Sequence, residues 1–321
     1  MANENKMVGV LGAGSFGTAL SYLLSTQSDV MVFTRREAVL NSVNDENQLN
    51  NTKLPKNVRA TSDYEAFAAE CPVIFPVVPS KYFREMMQEV GQYLRPYHIL
   101  IHGTKGLDAY PIPEEDDVPS KSQIFTMSQV IKQESPVVKV GCLSGPNLAE
   151  EILEGQPAAT VIASKFNEVI EIGQSLLKST HFHVFGSHQI YGAELAGVFK
   201  NVFAIASGIL GGQNLGYNLR PFLGTAGMGD LIATASTTKS RNYTVGFRLG
   251  KGETLKAILK DLPEVAEGVR TLQIIKGLAD ELNVNVPITQ VVYRILYKQM
   301  PVEKAMQYLM SYPYAKDVDF L

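Results

Sequence analysis

The stretch Met7-Val-Gly-Val-Leu-Gly-Ala-Gly-Ser-Phe-Gly-Thr-Ala-Leu20 decides the fold. Its first five residues are an apolar run suited to a strand buried on both faces. Gly12-Ala-Gly-Ser-Phe-Gly17 follows at once, and Phe16 to Ser25 reads as a helix. Strand, glycine turn and helix in that order open a βαβ unit. In such a turn Gly12 permits the tight bend and Gly14 lets backbone approach a pyrophosphate. Gly17 lets the helix pack close to the strand, with its N-terminal N–H groups facing the anion. The glycine string alone is weak, but with a strand before it and a helix after it the pattern points to a dinucleotide.

Working outward, further β-branched runs stand at Val30-Met-Val-Phe33, Val73-Ile-Phe75 with Val77-Val78, Ile99-Leu-Ile101 and Val137-Val-Lys-Val140. Two more are expected at Ala159 to Ala163 and His183 to Phe185, flanking a helix from about Asn167 to Lys178. Strands alternating with helices predict an α/β, Rossmann-like doubly wound N-terminal domain. After Ser187 the pattern turns helical, with Leu195, Val198, Phe199, Val202, Ile205 and Ile209 spaced as one buried face. Val269 to Leu282 and Val302 to Leu309 read the same way. The expected division is therefore 1–187 for a dinucleotide domain and 188–321 for an all-helical domain holding substrate, with a ligand in the cleft between them.

The 321 residues carry a net charge of -3, which speaks against a general nucleic-acid binder. No run of about 18 apolar residues is present, so no membrane-spanning helix is expected. Cys71 and Cys142 stand far apart, which fits a reducing compartment better than a disulfide scaffold. The N-terminus reads as neither a signal nor a transit peptide, and a cytoplasmic location is expected, or a plastid one if a targeting segment has been removed. Tyr110-Pro-Ile-Pro-Glu-Glu-Asp-Asp-Val-Pro119 is expected to be an exposed acidic loop.

Polar residues that interrupt apolar stretches are the candidates for chemistry. At the end of the second strand, Thr34-Arg35-Arg36 stands where an NAD-selective site would place an acid, and two guanidiniums suit a ribose 2′-phosphate, so NADPH is favoured over NADH. Lys105 follows a strand in Gly103-Thr-Lys-Gly106. Lys200 and Asn201 sit inside the most apolar helix, where a lysine either serves a reaction or snorkels to the surface. Asp230 follows Gly227-Met-Gly229 and could simply cap a helix. Ser240-Arg241-Asn242 could clamp an anion, Arg241 supplying a planar fork of donors. The five histidines complete no metal site.

Taken together, these strings resemble the soluble NAD(P)-dependent glycerol-3-phosphate dehydrogenases, closest to plastid, algal and bacterial types. The likeness rests on Gly12-Ala-Gly-Ser-Phe-Gly-Thr-Ala19, Gly103-Thr-Lys-Gly-Leu107, Leu143-Ser-Gly-Pro-Asn-Leu-Ala149 and Gly192 through Ala206. It continues through Ala226-Gly-Met-Gly-Asp-Leu231, Ser240-Arg-Asn242 and Val265-Ala-Glu-Gly268. The resemblance implies reversible, metal-free reduction of dihydroxyacetone phosphate to sn-glycerol 3-phosphate, a step in glycerolipid metabolism, and is compatible with a homodimer. It makes Lys200 the acid/base group and Lys105 a second lysine at substrate and cofactor. Asp230 orients the reacting hydroxyl, with Thr234 nearby. Gly145, Asn147, Asn201, Ser240, Arg241 and Asn242 fall at substrate contacts. Gly12, Gly14, Ser15, Phe16, Gly17, Arg35, Arg36, Ala149, Arg241, Val265 and Glu267 fall at dinucleotide contacts. Gly211 replaces the family's usual acid, and the stretch from Gly216 to Asp230 is shorter than usual. Two other readings stay open: a related reductase such as a ketopantoate reductase or a hydroxyacyl dehydrogenase, and a non-catalytic NADPH-binding module.

Overall fold

In the computed structural model, residues 7–111, 121–212, 240–262, 266–282 and 286–310 are described. Two compact units divide the chain, one of Met1–Asp108 with Phe125–Val198, the other of Ala109–Ile124 with Phe199–Leu321.

The first unit begins with β1 (Val8–Leu11), α1 (Ser15–Leu24), β2 (Val30–Phe33) and α2 (Glu37–Glu46). A small hairpin, β3 (Gln48–Leu49) and β4 (Thr52–Lys53), precedes β5 (Val58–Thr61) and α3 (Tyr64–Glu70). Next come β6 (Val73–Pro76), α4 (Ser80–Gly91) and β7 (Ile99–His102). The short strands β8 (Leu107–Ala109) and β9 (Ile124–Thr126) pair with each other, and α5 (Met127–Glu134) follows. Then come β10 (Lys139–Ser144), α6 (Ala149–Leu153), β11 (Ala158–Ser164), α7 (Asn167–Leu177), β12 (Phe182–Ser187) and α8 (Ile190–Gly212).

Eight strands form one sheet in the order β12-β11-β10-β7-β6-β1-β2-β5, parallel throughout except between β10 and β11. The chain runs outward from β1 in one direction through β2 and β5, and in the other through β6, β7 and β10. The reversal lies between β1 and β6, where an open α/β sheet offers a crevice beyond its strand ends.

Side chains explain why both faces are covered. Along β1, Val8 and Val10 enter a core that includes Leu20 and Leu24 of α1 and Val169 of α7. Leu11 enters a second core with Phe67 of α3, Phe83 and Met87 of α4, and Ile131 of α5. β7 alternates likewise, Ile101 in the first core and Leu100 in the second. Strands with two buried faces need continuous apolar runs, as the sequence has.

Strand and helix limits depart from the expected ones at a few places. β6 stops at Pro76, and Val77 instead donates its N–H to the Leu11 carbonyl at 2.8 Å. β10 starts at Lys139 rather than Val137, the Ser135-Pro136 pair lying just ahead. α5 opens with a capping box of Thr126 and Gln129 that the sequence reading passed over.

In the second unit the described helices after α8 are α9 (Arg241–Gly250), α10 (Leu255–Asp261), α11 (Glu267–Glu281), α12 (Pro287–Lys298) and α13 (Val302–Met310). α11 packs on α12, α12 on α13, and α9 on both α10 and α11. Val198 and Ile205 of α8 are buried as expected, but Leu195 is exposed and Glu194 takes the buried position. No helix among the described residues is long and apolar enough to cross a membrane.

Arg84 of α4 ties three elements of the first unit together. It is buried, its Nε lies 2.7 Å from Asp108, and its Nη atoms reach Glu134 and, at 2.8 Å, Gln133 of α5. Removing one partner of a buried ion cluster leaves charge without compensation. Asp108→Ala is therefore expected to lower stability by about 2–3 kcal/mol, read as a lower urea midpoint with an unchanged slope.

Candidate active site

The glycine turn is built by close approach. Gly12 has φ +130, a left-handed conformation, and a β-carbon there would lie 2.8 Å from the Val77 carbonyl oxygen. A β-carbon on Gly17 would lie 1.9 Å from the Gly12 carbonyl oxygen, so α1 rests directly on the turn. At Gly14 the case is different: a β-carbon would meet nothing within 4 Å. Gly14 is also the N-cap of α1, with no side-chain cap and no acid in the first turn. Two glycines thus serve the chain's own packing, while the third leaves open backbone at a helix N-terminus. The residues present fit a dinucleotide pyrophosphate.

Around the turn, Arg36 donates to the Ala13 carbonyl at 3.2 Å, and Asn50 donates to the same oxygen at 3.0 Å. Phe16 lies beside Gly103, whose β-carbon would come 2.9 Å from its ring, and Ser15 is exposed at the helix start. Ala149 of α6 packs against the core that α1 completes. Arg35 turns elsewhere, with Nη1 3.2 Å from Glu89 of α4.

A second cluster forms around one carbonyl. Lys105 donates from Nζ to the Gly145 carbonyl at 2.6 Å, and the Asn147 N–H donates to the same oxygen at 2.8 Å. Asn147 Nδ2 donates to Thr160 at 2.9 Å, while its buried Oδ1 has no partner among the described residues. Lys105 also lines a small pocket with His102, Cys142, Ser144, Glu194 and Gly197. A β-carbon at Gly197 would make ordinary van der Waals contact with Ser144 Oγ and the Lys105 stem.

Behind the pocket stands a network that the sequence reading left without a role. Glu194 Oε1 pairs with His102 Nε2 at 3.0 Å and accepts from the Ser128 N–H at 2.8 Å. Its Oε2 accepts from the Ser128 hydroxyl at 2.8 Å. Burial by itself would raise the carboxyl, but the His102 ring and the bonds from Ser128 outweigh it and hold Glu194 below its ordinary range. The available signal was an acid inside an apolar helix, the same signal that drew attention to Lys200. Burial pushes the Cys71 thiol up to about 12 and the Cys142 thiol upward too, so neither is disposed to act as a thiolate.

In the second unit, Lys200 and Asn201 are buried on α8. Asn242 Nδ2 donates to Asn201 Oδ1 at 2.9 Å, and Asn242 Oδ1 accepts from the Gly268 N–H at 2.9 Å, joining α8, α9 and α11. Ser240 caps α9 by accepting from the Tyr243 N–H, Arg241 is exposed in the first turn, and Glu267 opens α11. Asp230, Thr234 and Val265 lie outside the described residues, as do the stretch from Gly216 to Asp230 and all but the first two residues of the acidic loop.

Comparison with known proteins gives the site its context. The family described as NAD-dependent glycerol-3-phosphate dehydrogenase N-terminus matches residues 7–170, and the corresponding C-terminus matches residues 212–307. A glycerol-3-phosphate dehydrogenase [NAD(P)+] of Alcanivorax borkumensis is 34% identical, covering 100% of this chain and 98% of its own. One from Acinetobacter baumannii is 35% identical over 97% of this chain and 92% of its own. The crystal structure of a glycerol-3-phosphate dehydrogenase from Coxiella burnetii superimposes with a TM-score of 0.83 at 26% identity, covering 96% of this chain and 99% of that one.

The depressed ionisation of Glu194 has a defined sign. Its stabilising effect is complete above the ordinary carboxyl value of 4.5 and is lost as pH falls through the lower folded-state value. Glu194→Gln is expected to cost roughly 1–3 kcal/mol at neutral pH and to flatten the acid limb of stability against pH. Urea unfolding at falling pH measures both, and parallel acid limbs in the two proteins would contradict the assignment.

Proposed function

The chain belongs to the NAD-dependent glycerol-3-phosphate dehydrogenase family, oxidoreductases that use a nicotinamide cofactor, and from that premise we propose how its residues divide the reduction of dihydroxyacetone phosphate to sn-glycerol 3-phosphate. Lys200 is the acid/base group, and Lys105 meets both substrate and cofactor. The observation that supports this reading is that Lys105 and Asn147 both donate to the Gly145 carbonyl, which brings together three residues the resemblance assigns to a single ligand although 40 positions separate the lysine from the glycine.

A bound nicotinamide supplies the hydride. The chain's own part is to meet the charge that develops on the ketone oxygen: the Lys200 ammonium stabilises it and delivers the proton. Asn147, whose buried Oδ1 is unpartnered among the described residues, has acceptor capacity for a substrate hydroxyl. Ser240, Arg241 and Asn242 hold the substrate phosphate at the start of α9, where backbone N–H groups and the Arg241 guanidinium favour an anion. Phosphate held away from the reacting carbon fixes orientation. Asp230 and Thr234 complete the site by the resemblance, and Val265 and Glu267 reach the dinucleotide.

At the ribose, Arg35 and Arg36 make NADPH the preferred donor. Two buried free thiols suit a reducing, cytoplasmic compartment. Oxidation of NADPH that depends on dihydroxyacetone phosphate is the expected activity, and its absence at every pH assayed would end the reading. Lys200→Ala is expected to lower kcat by about 10²–10⁴-fold while changing the NADPH dissociation constant by less than about threefold. Parent-like turnover in that variant would remove Lys200 from the chemistry.

A further inference from the structure

We infer that Glu89 is a specificity-determining residue that restrains Arg35 and so limits the advantage of a cofactor carrying a ribose 2′-phosphate. The inference rests on the reading above that Arg35 and Arg36 flank the ribose.

The two neighbouring guanidiniums are held quite differently. Arg36 donates to the Ala13 carbonyl, a neutral partner that leaves its charge uncompensated at that contact. Arg35 instead faces a carboxylate, Nη1 lying 3.2 Å from Glu89 Oε1 and 3.4 Å from Oε2. Glu89 comes from α4, 54 residues further along the chain, and its position is not left to chance. The Tyr64 hydroxyl donates to Glu89 Oε2 at 2.8 Å. The Tyr64 ring stacks on Phe33, the last residue of β2, with centroids 3.9 Å apart and planes 12° from parallel. The residue just before Thr34-Arg35-Arg36 therefore anchors the phenol that anchors the acid.

Burial first, and then the bond to Glu89, raise the Tyr64 phenol well above its ordinary range, so it keeps its proton and goes on donating. A 2′-phosphate brings close to two negative charges to this place. To engage Arg35 it must either share the guanidinium with a fixed carboxylate, which like-charge repulsion opposes, or displace that carboxylate, which costs the ion pair with Arg35 and the bond from Tyr64. A plain ribose hydroxyl meets no such opposition. Side-chain exposures of 61% for Arg35 and 36% for Glu89 admit solvent, so the effect is a matter of several-fold rather than orders of magnitude.

Glu89→Gln tests this directly, because the amide oxygen can still accept from Tyr64 while the charge is gone. Calorimetric titration of the full chain with adenosine 2′,5′-bisphosphate and with 5′-AMP isolates the phosphate from turnover. The bisphosphate is expected to bind about three- to tenfold more tightly to Glu89→Gln, with less than about a twofold change for 5′-AMP. The ratio of kcat/KM for NADPH over NADH should rise in parallel. In Arg35→Gln the bisphosphate should bind more weakly, and adding Glu89→Gln to that variant should then have little further effect. Unchanged or weaker bisphosphate binding in Glu89→Gln, with Arg35→Gln still harmful, would overturn the role of Glu89 and leave the ribose reading standing. If neither Arg35→Gln nor Arg36→Gln altered the preference for the bisphosphate over 5′-AMP, the ribose reading itself would fail.

Discussion

The contact between Gly17 and the Gly12 carbonyl is the constraint on which the rest of the first unit depends. With 1.9 Å between that oxygen and an ideal β-carbon at Gly17, no side chain is compatible with α1 in its present place. Moving α1 outward would withdraw Leu20 and Leu24 from the core shared with Val8 and Val10, at about 1.5–3 kcal/mol for each large side chain fully exposed. Gly12 is fixed in turn by Val77, which follows β6, so β1 and β6 are pinned together at the point where the strand order reverses. Packing of sheet against helix therefore decides where the open N-terminus of α1 lies.

Much of this was legible because it is local. Strand, turn and helix occupy adjacent residues in Met7–Leu20, and the apolar runs of β2, β7 and β11 carry their own signal of two-sided burial. β5 escaped notice because Val58-Arg-Ala-Thr61 is short and only half buried at the sheet edge. β8 and β9 escaped it for another reason: at three residues each, they gain their meaning from pairing with one another rather than from composition.

The site residues divide along the same line. Gly12, Gly14 and Gly17 are close in sequence and form one turn, to which Arg36 bonds through the Ala13 carbonyl, and the family strings supplied Lys105, Gly145 and Asn147. Pairings between distant residues were not legible: 92 positions separate His102 from Glu194, and 50 separate Arg84 from Glu134. Leu195 was assigned to the buried face of α8 by spacing alone. The structure places Glu194 there because His102 and Ser128 satisfy its carboxylate, and a satisfied charge can compete with a leucine for a buried position.

Buried charge is accordingly a poor pointer to chemistry when taken by itself. α8 carries Glu194 and Lys200 within two turns, and both are buried. Glu194 accepts from a ring nitrogen, a backbone N–H and a hydroxyl. That arrangement fixes its ionisation and joins α8 to β7 and α5, which is how an anchor behaves. Arg84 spends its charge the same way on Asp108 and Glu134. A group that must hand over a proton has the opposite requirement, since bonds that hold one ionisation state firmly also oppose the transfer. The useful distinction is therefore how completely the charged form is satisfied by the chain itself. On that measure Glu194 belongs to the frame of the first unit, and Asn147, with one amide oxygen still unpartnered among the described residues, retains capacity for a ligand.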